Sequence, residues 1–141
     1  MIIMDFNQVA LASIFQFMGE ITPKNPNNSK HIIRHSLISS ILYYKMKFSS
    51  EYGELVIASD GRNYWRKDKF PYYKANRKTT RDASNIDWKF VFEIISEVRE
   101  EIKNTFPYKL INLDGIEADD IIAVLCKWTQ ENYIDDNVLF P

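Results

Sequence analysis

Four carboxylates fall within seven residues of this chain, at Asp114, Glu117, Asp119 and Asp120. They follow a short apolar run, Leu110 to Leu113, and precede a helical pattern marked by Ile121, Val124, Leu125 and Trp128, with Gly115 as the break between them. The spacing therefore predicts strand, turn and helix, with the acids crowded at the junction. Acids in a first helical turn are favoured by the macrodipole by about 0.3–1 kcal/mol each, so one or two need no further reason. Four are different, because carboxylates about 5.5 Å apart at an effective dielectric near 20 repel by about 3 kcal/mol per pair. The alternatives are a solvated helix start and a site for a hard divalent cation. Oxygen donors of this kind suit Mg²⁺ or Mn²⁺ better than zinc.

Two further apolar runs end in the same way. Ile2-Ile3-Met4 meets Asp5, and Leu55-Val56-Ile57-Ala58-Ser59 meets Asp60. Helical spacing lies between the runs. Val9 to Phe17 forms one such segment; a second is expected from an N-cap at Ser29 to about Lys47, with Ile33, Leu37, Ile41 and Tyr44 inward; a third spans Asp87 to Asn104, closed by Pro107. Alternating strands and helices imply an α/β fold with a parallel sheet and right-handed crossovers, whose ligands bind beyond the carboxyl ends of the strands. Asp5, Asp60 and Asp114 are thereby expected on one sheet edge, together with Glu117, Asp119 and Asp120. His31 and His35, spaced i, i+4, lack the intervening Glu and a third ligand, and read as solvated or locally bonded.

The charge is segregated. The net charge is −1, yet the window from Arg62 to Arg81 holds eight Lys or Arg against the single acid Asp68. Its cations alternate with aromatics: Arg62, Trp65, Arg66, Lys67, Lys69, Tyr72, Tyr73 and Lys78 form a set able to meet phosphates and stack on unpaired bases, without clean helical or strand periodicity. The competing reading is a solvated loop with some aromatics in the core. Because this window starts just after Asp60, it must begin at the acidic edge.

With 141 residues and 45% hydrophobic content, one globular domain over 1–141 is expected. A lone cysteine, Cys126, fits a reducing cytoplasm. No apolar run approaches about 18 residues, so no membrane association is expected.

The Asp60 strand followed by Trp65-Arg66-Lys67 and Phe70-Pro71-Tyr72-Tyr73-Lys74-Ala75-Asn76-Arg77, and later by Gly115-Ile116-Glu117-Ala118-Asp119-Asp120, resembles the 5' nuclease (flap endonuclease) superfamily, and within it the ribonuclease H branch from bacteriophages. The resemblance covers essentially the whole chain as the family's amino-terminal half. It implies a PIN-like parallel sheet flanked by helices, left incomplete at the C-terminus, with 62–81 as a bridge or arch. It implies a site that holds two Mg²⁺ ions when complete, to which this chain brings Asp5, Asp60, Glu117, Asp119 and Asp120, enough for one ion, while two further aspartates are expected after a fourth strand. It also implies a basic pair, Lys74 and Arg77, on the scissile phosphate. Asp114 stands outside the family pattern. The implied activity is 5'-to-3' hydrolysis of RNA in RNA-DNA hybrids and of flapped or nicked DNA during replication, in a host cytoplasm if the source is a phage. A carboxyl-terminal half or replication proteins are the implied partners, and the chain alone is expected to cleave poorly or not at all. Asn137 to Phe140 is expected to open a fourth strand. A self-sufficient PIN-domain ribonuclease and a non-catalytic nucleic-acid-binding fragment are the competing readings.

Overall fold

The computed structural model describes residues 1–84 and 86–132, so the expected strand at Asn137 to Phe140 lies outside the described residues. Strand β1 (Ile2–Asp5) leads into α1 (Phe6–Phe15) and α2 (Pro26–Tyr52), and then into β2 (Leu55–Ser59). Two short helices, α3 (Trp65–Lys69) and α4 (Ala75–Asp82), and the long α5 (Trp88–Thr105) follow. Strand β3 (Lys109–Asn112) and α6 (Ala118–Asn132) complete the described chain.

The sheet is parallel in the order β1-β2-β3, with Asp5 opposite Ala58 and Ser59 opposite Asn112. Two steps in one direction with right-handed crossovers put the intervening helices on the same face. That is what the packing shows: Ile2, Met4, Leu55 and Ile57 share one core with Val9, Ala10 and Ile14 of α1, Ile33, Leu37 and Ile41 of α2, and Val91, Ile95, Val98 and Ile102 of α5. The alternate residue of β2, Ala58, turns to the other face and packs on Ala118 and Ile121 of α6. Every residue of the central β2 is buried, as a strand covered on both faces must be.

Three expectations need correction. Helix α2 starts three residues before Ser29, with Asn25 as N-cap accepting from Asn28 N at 3.3 Å and Pro26 in the first turn, where its missing N–H costs nothing. Ser29 is instead buried inside the helix, where its Oγ accepts from Thr22 N at 2.9 Å and ties down the incoming loop. The basic window is not irregular, since it contains α3 and α4. On α6, Val124 and Trp128 are exposed (67% and 48%), while Ala118, Ile121 and Thr129 are buried. The three described strands offer α6 a narrow contact, and the stripe at 118, 121, 125 and 129 takes it. His31 and His35 are exposed on α2.

Helices α2 and α5 are also joined by ion pairs, Lys30 with Glu97 and Arg34 with Glu101. Arg34 Nε donates to both Glu101 oxygens at 2.8 and 3.0 Å. This bond from Arg34 holds Glu101 below the usual carboxylate range. A depressed carboxyl contributes stability above its unfolded pKa and loses it as pH falls through the folded value. Glu101→Gln is therefore expected to destabilise the protein by about 0.5–1 kcal/mol at pH 7, a screened value for a partly exposed pair. The difference should vanish in urea melts taken at progressively lower pH. A penalty that persists in strong acid would assign the effect to packing.

Candidate functional site

The carboxyl ends of the three strands meet two loops that are stitched together. Gly61 N donates to Ile116 O at 2.8 Å, Gly115 N to Arg62 O at 2.6 Å and Trp65 N to Gly115 O at 3.1 Å. Gly115, at φ 78°, makes the turn that an L side chain would strain. Asn112 Nδ2 donates to Asp60 O at 2.6 Å and fixes the backbone between the loops.

On this frame Asp60 is held by both oxygens. Its Oδ1 accepts from Ala118 N, the first amide of α6, at 2.8 Å, and its Oδ2 accepts from Asn7 Nδ2 at 2.8 Å. A carboxylate 58 residues away in sequence thus satisfies an orphan donor at the positive end of α6. Asp120 reaches back to Glu117 N at 3.1 Å, the reciprocal half of a capping box. Asp5 caps α1 by accepting from Gln8 N at 2.9 Å. Burial raises its pKa, against the Gln8 bond, and the charges of Asp60 and Asp119 add to the rise. Asp60 and Asp119 therefore lie within electrostatic reach of Asp5. Asp119 is exposed, as is Asp114, which lines a cavity of about 460 Å³ together with Asp60, Arg62, Asn63, Arg99 and Asn112.

Glu117 is only 1% exposed, and the described bonds to its carboxylate come from the basic window. Its Oε1 accepts from Lys74 Nζ at 2.7 Å, and its Oε2 from Arg66 Nη1 at 2.9 Å and Tyr73 OH at 2.8 Å. Burial works to raise its pKa, but the bonds from Lys74 and Tyr73 and the charges of Lys74 and Arg66 win and hold it below the usual range. Arg66 also forks onto Asp120, donating to Oδ2 at 2.7 Å and Oδ1 at 2.6 Å. That fork brings the Asp120 carboxyl down to about 2. Lys74 sits in the left-handed region at φ 56° as the residue before α4, a conformation that its pairing with buried Glu117 helps to hold.

Of the basic-aromatic residues, Arg66, Lys74 and Tyr73 are brought onto the acids, and Trp65 Nε1 lies 3.4 Å from Asp120 Oδ2. The charges of Lys74 and Arg77 both act on the Tyr64 hydroxyl, whose pKa is raised first by burial and then by Asp60 and Glu117, so Arg77 borders the same site. Lys67 stands over the Tyr64 ring at 5.0 Å. Arg62, Lys69 and Tyr72 are exposed, and Arg62 lines the cavity shared by Asp60 and Asp114; the side chain of Lys78 lies outside the described residues. Tyr64, Asn7 and Asn112 are residues that sequence reasoning missed. Asn7 carried no signal of its own, because its role appears only when α1 is laid beside the end of β2.

Among the described residues no three acids or histidines converge at metal-ligand spacing. Instead the carboxylates are taken up by other partners: Arg66, Lys74 and Tyr73 of the basic window bond Glu117 and Asp120, and Asn7 and the Ala118 amide bond Asp60. The donor set nonetheless fits a hard divalent cation: five carboxylates, Asp5, Asp60, Glu117, Asp119 and Asp120, share one edge, and after burial the charges of Asp60 and Asp119 add to the raised pKa of Asp5. If Asn7 orients Asp60 as an outer-shell partner does, Asn7→Ala should weaken Mn²⁺ binding by about 10–100-fold. Isothermal titration would read this, and an unchanged affinity would make Asn7 merely a packing residue.

A parallel α/β sheet of PIN-like form, with acids gathered at its carboxyl edge and bonded by cations of the basic window, defines the class of protein. Residues 1–139 match the model of the 5'-3' exonuclease, N-terminal resolvase-like domain, and the chain belongs to that family. It is similar to the ribonuclease H of Enterobacteria phage T4, 34% identical over 89% of this chain and 41% of that protein. It is also similar to the flap endonuclease of Escherichia phage T5, 31% identical over 72% of this chain and 35% of that protein. A crystal structure of the bacteriophage T5 flap endonuclease in a pseudo-enzyme-product complex with DNA and metal ions superposes with a TM-score of 0.69 at 26% identity, covering 99% of this chain and 47% of that one. A second, of the T5 5'-exonuclease with bound zinc ions, gives 0.67 at 25% identity over the same shares. The chain thus spans less than half the length of these relatives. Among the described residues no helix is long and apolar enough to cross a membrane.

Proposed function

We propose that this chain carries the acidic half of a metal-dependent 5'-to-3' nuclease acting on RNA in RNA-DNA hybrids and on flapped or nicked DNA in replication. The observation that carries the reading is the direct anchoring of Lys74 and Arg66 on Glu117 and Asp120, which sets phosphate-binding cations one side chain away from a cluster of hard oxygen ligands. The relatives whose structures hold DNA and divalent ions support it.

Asp5, Asp60, Glu117, Asp119 and Asp120 would hold Mg²⁺, with Mn²⁺ as a substitute and two ions in the complete site. Bound there, the metal supplies an activated water and offsets charge on the attacked phosphate. Lys74 and Arg77 neutralise the charge that grows on the phosphate oxygens in the transition state. Lys74 is suited to this because burial opposes its charge while its bonds to Glu117 and Tyr73 overcome that opposition, so it stays protonated. Arg62, Arg66, Lys67, Lys69 and Lys78 bind the backbone, and Trp65, Tyr72 and Tyr73 offer ring faces to unpaired bases. Trp65 and Tyr72 are exposed enough (48% and 76%) to do so.

The test is cleavage of labelled hybrid, 5'-flap, nicked and single-stranded RNA substrates with Mg²⁺ or Mn²⁺. It should be run on the chain alone and with the carboxyl-terminal half of a relative supplied in trans. Little or no cleavage by the chain alone, and cleavage with the carboxyl-terminal half supplied that prefers flap and hybrid and is lost in Asp60→Asn, is the expected result. Preference for single-stranded RNA would favour the PIN-type ribonuclease, and binding without cleavage in either format would favour a binding fragment. Within this reading, Lys74→Ala should lower turnover more than affinity, because its charge matters most as the phosphate gains charge. Replacing Lys67 and Lys69 together should instead weaken binding and flatten its salt dependence by about one unit per lost phosphate contact. Equal losses of affinity alone in both variants would remove the distinction.

A further inference from the structure

We infer that Arg66 is the resident counterion of the acidic edge, that a divalent cation must displace it from Asp120, and that this displacement frees the bridge to take a phosphate. The inference rests on the proposed reading of Asp120 as a metal ligand and adds an order of events to it.

The geometry is one of saturation. Asp120 Oδ2 accepts from Arg66 Nη1 at 2.7 Å and Glu117 N at 3.1 Å, with Trp65 Nε1 at 3.4 Å, and Oδ1 accepts from Arg66 Nη2 at 2.6 Å. The same Nη1 reaches Glu117 Oε2 at 2.9 Å, and Tyr73 and Lys74 take the rest of that buried carboxylate. A guanidinium between two carboxylates does electrostatically what a divalent ion would do, from the same oxygens. The two occupants exclude each other, so the apparent metal affinity is the intrinsic one reduced by the fraction of molecules with the bridge released. By linkage, metal must promote release to the same extent. Arg66 also lies 4.6 Å over the Trp65 ring and 5.9 Å from that of Tyr73, so its departure dismantles the cap that α3 forms over the acids and changes the surroundings of Trp65.

The chain has three tryptophans, and Trp88→Phe with Trp128→Phe leaves Trp65 as the sole reporter. In this background Mg²⁺ should shift Trp65 emission, whereas Arg66→Gln should start from the shifted spectrum and respond little. Mn²⁺ affinity, followed by loss of the free-ion paramagnetic resonance signal, should tighten about tenfold in Arg66→Gln if the bridge is closed about nine-tenths of the time. Lys67→Gln removes the same charge without touching Asp120 and should stay within about twofold of the parent. Should Arg66→Gln not fold, as read by circular dichroism, Arg66→Lys keeps the charge, loses the fork and should still tighten binding severalfold. Mn²⁺ binding with no change at Trp65, or equal tightening in Arg66→Gln and Lys67→Gln, would overturn the displacement while leaving the metal site standing. No Mn²⁺ binding to the parent or to any Arg66 variant would overturn both.

Discussion

Asp60→Asn is expected to leave the fold nearly intact and to remove most divalent-metal binding and all but a trace of cleavage. The fold should survive because Asn keeps an oxygen for Ala118 N, and its amide meets Asn7, which can turn its own amide to present oxygen. The cost should stay near or below about 1 kcal/mol, typical of one rearranged hydrogen bond. Part of it is offset because one of the charges raising Asp5 disappears. Metal affinity should fall by more than the roughly 10–100-fold that loss of an outer-shell partner causes, and turnover should fall at least as far. Titration calorimetry with Mn²⁺, urea melts and the flap assay read the three quantities separately. Wild-type metal affinity with full cleavage would remove Asp60 from the metal site, and a collapsed melting midpoint would make it a structural cap for α6.

Gly61→Ala should be among the most damaging single changes in the chain. A Cβ at this position would lie well inside van der Waals contact of the Leu113 carbonyl oxygen, and 2.8 and 2.9 Å from Leu113 C and Ile116 O. All three are backbone atoms, so no rotamer change can relieve the overlap. The loop after β2 would have to leave the loop after β3, breaking the bond from Gly61 N to Ile116 O and pulling Asp60 from the end of α6. A loss of at least about 4 kcal/mol is expected, the range reserved for such steric failures. Gly19→Ala is the control: it meets nothing within 4 Å and should change stability by no more than about 0.5 kcal/mol. Similar urea midpoints for the two variants would show that the loops are not held as tightly as the geometry requires.

Much of the fold was legible because its signals are local. Apolar runs ended by Asp5, Asp60 and Asp114 mark three strands, and Ile33, Leu37 and Ile41, like Val91, Ile95, Val98 and Ile102, mark two helices at 3.6-residue spacing; the named side chains of both helices are buried. The grouping of acids on one edge followed from the parallel order alone. The start of α2 was misjudged because Ser29 and Asn25 are both good caps by type, and only the packing of Ser29 against Thr22 decides between them. The outward Val124 and Trp128 were misjudged because periodicity reports that a helix has apolar stripes, not which of them a neighbour covers.

The division at the site has the same physical basis. The sequence by itself determined which residue types meet there, since hard oxygen donors, phosphate-binding cations and stacking aromatics are properties of side chains, and the strand order carries the acids to one edge. Only the tertiary structure decided their pairing, with Asp60 on Asn7 and the first amide of α6, Glu117 beneath Lys74 and Tyr73, and Asp120 in the fork of Arg66. Those contacts join residues 43 to 58 positions apart, and which cation reaches which carboxylate depends on loop lengths, the left-handed turn at Lys74 and the side-chain-free approach at Gly61. None of these leaves a periodic trace in the chain, because each is fixed by atoms that meet only after the loops at the ends of β2 and β3 have closed on one another.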